Sequence, residues 1–245
     1  MKKSILLACA MMASTTSFAS EHEHAHWGYT GDGAPENWAS LTGDNFACTG
    51  KNQSPINLTG FIESELAPIV FHYQAGGNEI VNNGHTVQVN YQKGSYIEID
   101  GKQFNLLQFH FHAPSENHIN GEAYPLEGHL VHADKDGNLA VIAVMFKEGD
   151  ENKGLAAAWK QIPMHEGDKH AFSASVDAID ILPENKDYYR FNGSLTTPPC
   201  SEGVRWFVMK EAVTASKAQI EAFKATMHGA NNRPLQDVNS RVILQ

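Results

Sequence analysis

From residue 79 to residue 147 apolar and polar side chains alternate with a period of two, the pattern of β-strands that bury one face. Strand-like runs cover 79–92, 95–100, 104–112, 127–133, 139–147, 188–192 and 204–210. Turn-forming groups punctuate them: Gly76-Gly77, Asn83-Gly84, Asp100-Gly101, Asp136-Gly137-Asn138 and Asn192-Gly193. Helical signals are few. One short helix is expected over Gly154–Ile162. A second, over Ser216–Met227, opens with a capping-box pattern (Ser216 to Gln219) and carries Ile220 and Phe223 on one face. No linker, repeat or charge block divides the chain. The pattern predicts a mainly β protein, a single domain over residues 20–245 with a large twisted, mostly antiparallel central sheet and short peripheral helices.

The amino-terminal end reads differently. Lys2 and Lys3, the apolar run Ile5–Ala13 and the small-residue end Ser17-Phe18-Ala19 predict a signal peptide over residues 1–19. The run is too short to span a bilayer. Leu6-Leu7-Ala8-Cys9 is also similar to a lipoprotein cleavage box, which leaves a lipid anchor as the alternative. Residues 20–26 follow as a polar leader carrying His22, His24 and His26, readable as a mobile solvated tail or as a metal-capturing one. A periplasmic or secreted protein is expected. The formal charge of −10 excludes a basic surface of the kind that binds nucleic acid or anionic membrane. Cys48 and Cys200 are an even pair once Cys9 leaves with the signal. In an oxidising compartment they are expected to form a disulfide; the competing reading makes one thiolate a metal ligand.

The chemistry-bearing positions lie on two strands. In Leu106–His112 the alternation puts Gln108, His110 and His112 on one face and Leu107, Phe109 and Phe111 on the other. In Leu126–His132 it groups Glu127, His129 and Val131. Three imidazoles on neighbouring strands can converge on one cation, and three protein nitrogens leave zinc a fourth, open position, the mark of a catalytic site. Gln108 and Glu127, each two residues before a histidine, can accept the outward ring N–H. His132 points the other way and is expected to be a hydrogen-bonded core residue.

Gln108-Phe-His-Phe-His112, Pro114-Ser-Glu-Asn-His118, Glu127-Gly-His-Leu-Val-His132 and Ser194-Leu-Thr-Thr-Pro-Pro-Cys200 resemble the signature segments of the alpha-class carbonic anhydrases. The likeness runs from His26-Trp-Gly-Tyr29 through Gln53-Ser-Pro-Ile-Asn57 and Val81-Asn-Asn-Gly-His85 to Asn231-Asn-Arg-Pro234, and is similar to the bacterial secreted branch. The resemblance implies zinc-dependent, reversible hydration of carbon dioxide to bicarbonate and a proton, by attack of zinc-bound hydroxide. One Zn²⁺ per chain would be held by His110, His112 and His129, with Gln108, Glu127 and the backbone of Asn231 behind them. Glu116 and Thr196 would form a hydroxyl–carboxylate relay, and His85 the proton shuttle. Val131, Val141, Leu195, Val204 and Trp206 would form the apolar wall of the substrate pocket, beside Thr197; Tyr29, Asn83 and Gln88 would order water. It also implies cis bonds at Ser54-Pro55 and Pro198-Pro199, and leaves a homodimer open. Two departures stand out: Ala113-Pro114 replaces a longer segment of the animal enzymes, and Thr86 stands where alanine or serine is frequent. The rivals are a binding module on the same scaffold and a metal scavenger with several comparable sites.

Overall fold

The computed structural model describes residues 26–245. The expected signal peptide and the leader up to Ala25 lie outside the described residues. Short 3-10 segments and α1 (Trp38–Leu41) occupy the first part. Strands β1 (Asn57–Leu58), β2 (Val70–His72), β3 (Gly77–Asn82), β4 (Val87–Tyr91), β5 (Tyr96–Ile99) and β6 (Lys102–His112) follow. Then come β7 (His118–Ile119), β8 (Leu126–Ala133), β9 (Leu139–Glu148), α2 (Lys153–Trp159) and β10 (Lys169–Val176). The chain closes with β11 (Tyr188–Ser194), β12 (Glu202–Met209), β13 (Val213–Ala215) and α3 (Lys217–Met227).

Eleven strands make one mixed, mostly antiparallel sheet whose main path is β10-β3-β4-β6-β8-β9-β12-β11, with β1 and β7 paired apart from it. The expected run over 79–92 is two strands. Gly84, at φ +83°, turns the chain between them, and the Asn83 side chain accepts from the backbone N–H groups of His85 and Thr86. Strands β8, β9 and β12 are buried on both faces, so alternate residues feed two cores. Leu130, Ile142, Val144 and Phe207 enter the larger one; Val131, Val141, Trp206 and Val208 enter the smaller. Among the described residues no helix is long and apolar enough to cross a membrane.

One irregularity fixes which face of β6 looks inward. Phe104 and Leu106 are buried, the pairing with β8 slips between Leu106 and Gln108, and from there Phe109 and Phe111 are buried instead. Leu107 is the bulged residue, 46% exposed, and does not share the face of Phe109 and Phe111 as simple alternation predicts. An extra residue in one strand inverts the phase of all that follow. Burying Phe109 and Phe111 is worth roughly 2–3 kcal/mol each, which holds the new phase and commits Gln108, His110 and His112 to the opposite face.

Both expected helices form. Asn152 caps α2, its Oδ1 accepting from Leu155 N at 3.0 Å; α2 ends at Trp159, short of Ile162. Ser216 and Gln219 make the reciprocal capping box of α3. Cis bonds occur at Ser54-Pro55 and Pro198-Pro199, and also at Ala113-Pro114.

Candidate metal centre

Register brings the three histidines together. His110 stands directly opposite His129 across β6 and β8, and His112 opposite Glu127. One nitrogen from each of His110, His112 and His129 lies within 4.8 Å of the others. The other nitrogen of every ring meets an acceptor: His110 Nδ1 the Gln108 Oε1 at 2.9 Å, His112 Nδ1 the Asn231 carbonyl at 2.7 Å, His129 Nε2 the Glu127 Oε1 at 2.9 Å. An acceptor at each outer nitrogen places the ring proton there, so the lone pairs of His110 Nε2, His112 Nε2 and His129 Nδ1 face inward. His112 Nε2 is buried and has no hydrogen-bond partner. Burial holds all three rings below the ordinary histidine pKa, the neutral state a metal ligand needs. Neutral imidazoles with an unpaired buried nitrogen fit zinc, and among the described residues no fourth protein ligand closes the set.

Two buried carboxylates stand behind the rings. Glu127 Oε2 accepts from the backbone of Glu116 and Asn117 at 2.7 and 2.8 Å, and Oε1 from Asn117 Nδ2 at 2.8 Å. Glu116 Oε1 accepts from Arg233 N at 2.8 Å, while Oε2 has no hydrogen-bond partner and lies 3.5 Å from His112 Nε2 and 3.9 Å from His129 Nδ1. Burial pushes the Glu116 carboxyl well up; the Arg233 N–H and the neighbouring Thr196 side chain oppose that. Arg233 is itself buried, with Nη1 donating to Gln53 Oε1 and Ser54 O at 2.8 Å. Burial draws it down to about 10, so it stays charged at neutral pH.

Thr196 and Thr197 lie on the loop between β11 and β12. Cys48 and Cys200 are disulfide-bonded, tying this loop to the 3-10 turn Gly43–Thr49 and removing the thiolate-ligand alternative. Leu195 N and Cys200 N close the loop onto Ser201 O and Thr197 O at 3.0 and 2.8 Å.

A cavity of about 130 Å³ opens onto His110 and His112 and is lined also by Tyr29, Asn83, His85, Gln88, Gln108 and Thr197. Trp27 and Thr86 complete the lining. The five apolar positions are placed elsewhere. Val131, Val141, Val204 and Trp206 belong to the smaller core with Leu195 against it, and reach the metal site where Trp206 meets the His129 ring edge-on at 4.9 Å. His85 is half-buried, its ring flat on Trp27 with centroids 3.6 Å apart. The Thr86 hydroxyl is spent on the backbone of Phe111, donating to its carbonyl at 2.6 Å. Asn231 does more than its carbonyl suggests: Oδ1 accepts from Ala113 N at 2.8 Å, and Nδ2 donates to His85 O and Phe111 O at 3.0 Å. His132 is buried on the other face, as expected. Among the described residues the three histidines are the one cluster of metal-ligand spacing, and His22 and His24 lie outside them.

Comparison with known proteins agrees with this geometry. The family profile described as eukaryotic-type carbonic anhydrase matches residues 32–245. A carbonic anhydrase of Pectobacterium carotovorum is 49% identical over 97% of this chain and 98% of its own length. The solved alpha-carbonic anhydrase of Thermovibrio ammonificans, in complex with sulfanilamide, superposes with a TM-score of 0.89 at 48% identity, over 90% of this chain and 99% of that one. The Photobacterium profundum alpha-carbonic anhydrase gives 0.86 at 48% identity, over 90% and 100%. With the three-histidine zinc site in place, the chain belongs to the alpha, or eukaryotic-type, carbonic anhydrases and is an enzyme of carbon dioxide hydration.

Proposed function

We propose that the residues around the zinc site divide the hydration of carbon dioxide among themselves as follows. His110, His112 and His129 hold the zinc through their inward lone pairs, with Gln108, Asn231 and Glu127 fixing ring orientation. Zinc on three neutral imidazoles would supply a Lewis acid that brings the pKa of water near 7, the known behaviour of carbonic anhydrases. Glu116, pinned through Oε1 by the Arg233 N–H, directs Oε2 toward Thr196. The Thr196 hydroxyl then donates its hydrogen bond to the carboxylate, which leaves its oxygen only as an acceptor. It selects a protonated oxygen at the site and aims its remaining lone pair at the substrate carbon. Val131, Val141, Leu195, Val204 and Trp206 offer carbon dioxide an apolar resting surface, which suits a molecule with little to hydrogen-bond. Tyr29, Asn83, Gln88 and Thr197 hold water between the metal and His85, which takes the proton outward.

The observation that carries this reading is the set of three acceptors that turn all three imidazole lone pairs inward beside the unpaired Glu116 Oε2. Zinc analysis and stopped-flow carbon dioxide hydration test it. Wild type should hold one zinc per chain and His129→Ala none. Thr196→Ala should keep its zinc and lose about a hundredfold in kcat/KM, the scale of a lost oriented hydrogen bond at the reacting atoms. Unchanged kcat/KM in Thr196→Ala would reject the relay. The Cys48–Cys200 bond supports a protein that works outside the cytoplasm, and we propose the periplasm or the medium.

A further inference from the structure

Each turnover releases a proton, and a carrier that is half-buried must hand it on before it can accept the next. His85 lies between two spaces. On one side is the metal cavity; on the other a depression of about 510 Å³ shares Trp27, Tyr29 and His85 with it and opens between the amino-terminal segment and residues 227–234. In that direction the His26 ring stacks beside His85, centroids 5.1 Å apart and planes 26° from parallel. His26 Nε2 is 4.0 Å from Glu166 Oε1, and these two side chains are 71% and 66% exposed. The Glu166 carboxyl rests on Gly84, where an added Cβ would meet its Cδ at 2.6 Å and Oε1 at 2.7 Å. Half-buried, stacked imidazole, exposed imidazole and exposed carboxylate thus follow one another from the cavity to solvent.

We propose that His26 is the second proton carrier of this enzyme and that Glu166 is the positioning residue that holds it beside His85 and pairs with its charged form. The inference rests on the reading of His85 as the first carrier. The protonated His85 ring gives one proton to neutral His26, with a water molecule bridging the rings. His85 returns to its neutral form, the His26 imidazolium forms an ion pair with Glu166, and a buffer base in solution removes the proton. No electrons move and no other reactant is needed. Electrostatics favour the outward direction: burial lowers the His85 pKa from its usual 6.5, the adjoining His26 lowers it further and Glu166 opposes both. The titratable groups bordering His85 are His26, Glu166 and, across the depression, His228; Tyr29 lines both spaces, and His110 and His112 line the metal cavity. As a surface ion pair His26 and Glu166 would add little to stability; their stacking on the carrier is what gives the pair a use.

The zinc-loaded enzyme with His26→Ala or Glu166→Gln tests this, and both sites are exposed enough to leave folding intact. In weak buffer kcat should fall about threefold or more, while kcat/KM, which contains no proton export, stays level; added imidazole should restore kcat. Histidine side-chain NMR reads the same coupling without turnover. His26→Ala should raise the His85 titration midpoint and Glu166→Gln should lower it. If His85→Ala slows weak-buffer turnover but both outer variants leave kcat and the His85 midpoint unmoved, the second carrier is refuted and the first stands. If His85→Ala itself has no effect, the underlying reading fails.

Discussion

His132 makes acid stability a calculable property of this fold. It is fully buried on the sheet face away from the metal site, with Nδ1 donating to Ala140 O at 3.3 Å and Nε2 accepting from Tyr73 Oη at 2.6 Å. Both nitrogens are therefore used by the neutral ring. Burial pulls its pKa from 6.5 to about 4, against weaker opposing contributions from the backbone of Ala140 and Leu130. Because the folded value is the lower one, the unfolded chain binds a proton between pH 6.5 and 4 that the folded chain does not. The stabilisation is complete above pH 6.5 and drains away as pH falls toward 4. At about 1.36 kcal/mol per pH unit, the whole window is worth about 3 kcal/mol, most of it gone by pH 4.5. His132→Leu combined with Tyr73→Phe removes both partners together and leaves the zinc ligands untouched. Urea unfolding in the presence of chelator, at pH 7.5 and again at pH 4.5, compares this variant with the wild type. Other titrating groups cancel in the difference, so the wild type should lose about 2–3 kcal/mol more than the variant on acidification. Equal losses in the two proteins would refute the reasoning.

Three further outcomes follow from the same structure. Cys48→Ser opens a crosslink that closes a 152-residue separation, which in the chain-entropy treatment costs about 5 kcal/mol, and urea unfolding with and without reductant should show the gap only in wild type. Gly193→Ala would drive a methyl group into Ser54 Oγ and within 3.0 Å of Phe191 and 3.2 Å of Trp206, just before the Thr196 loop. A loss of about 2 kcal/mol in thermal unfolding is expected, and an unchanged melting temperature would show that the loop start can shift. Asn231→Ala keeps the carbonyl on His112 but removes the side-chain bonds to Ala113, Phe111 and His85. Zinc affinity by chelator competition should fall about tenfold, and wild-type affinity would mean that the carbonyl alone orients the ring.

The metal triad was legible because alternation along a strand is strict: His110 and His112 at a spacing of two, and Glu127 before His129, declare a shared face. What alternation could not show is where it breaks. Leu106-Leu107 offers two similar side chains and no sign of which one bulges, so alternation alone puts Leu107 on the wrong side. Strand β10 carries no apolar rhythm, because it is an edge strand exposed on both faces. Strands β2 and β13, at three residues each, are shorter than any periodic signal. Main-chain groups are invisible for another reason. The Arg233 N–H that fixes Glu116 would be supplied by almost any residue type there. His26 and Glu166 are 140 positions apart, and only the folded turn at Gly84 makes them neighbours of His85.

The ligands for the ion sit on central strands, whereas Glu116, Thr196 and His85 come from loops and turns. Capture of the cation thus rests on the paired strands, and throughput on their margins, the connections between strands. A descendant whose margins drifted would remain a metalloprotein long after it had ceased to turn over, so metal content is a poor proxy for competence in this lineage.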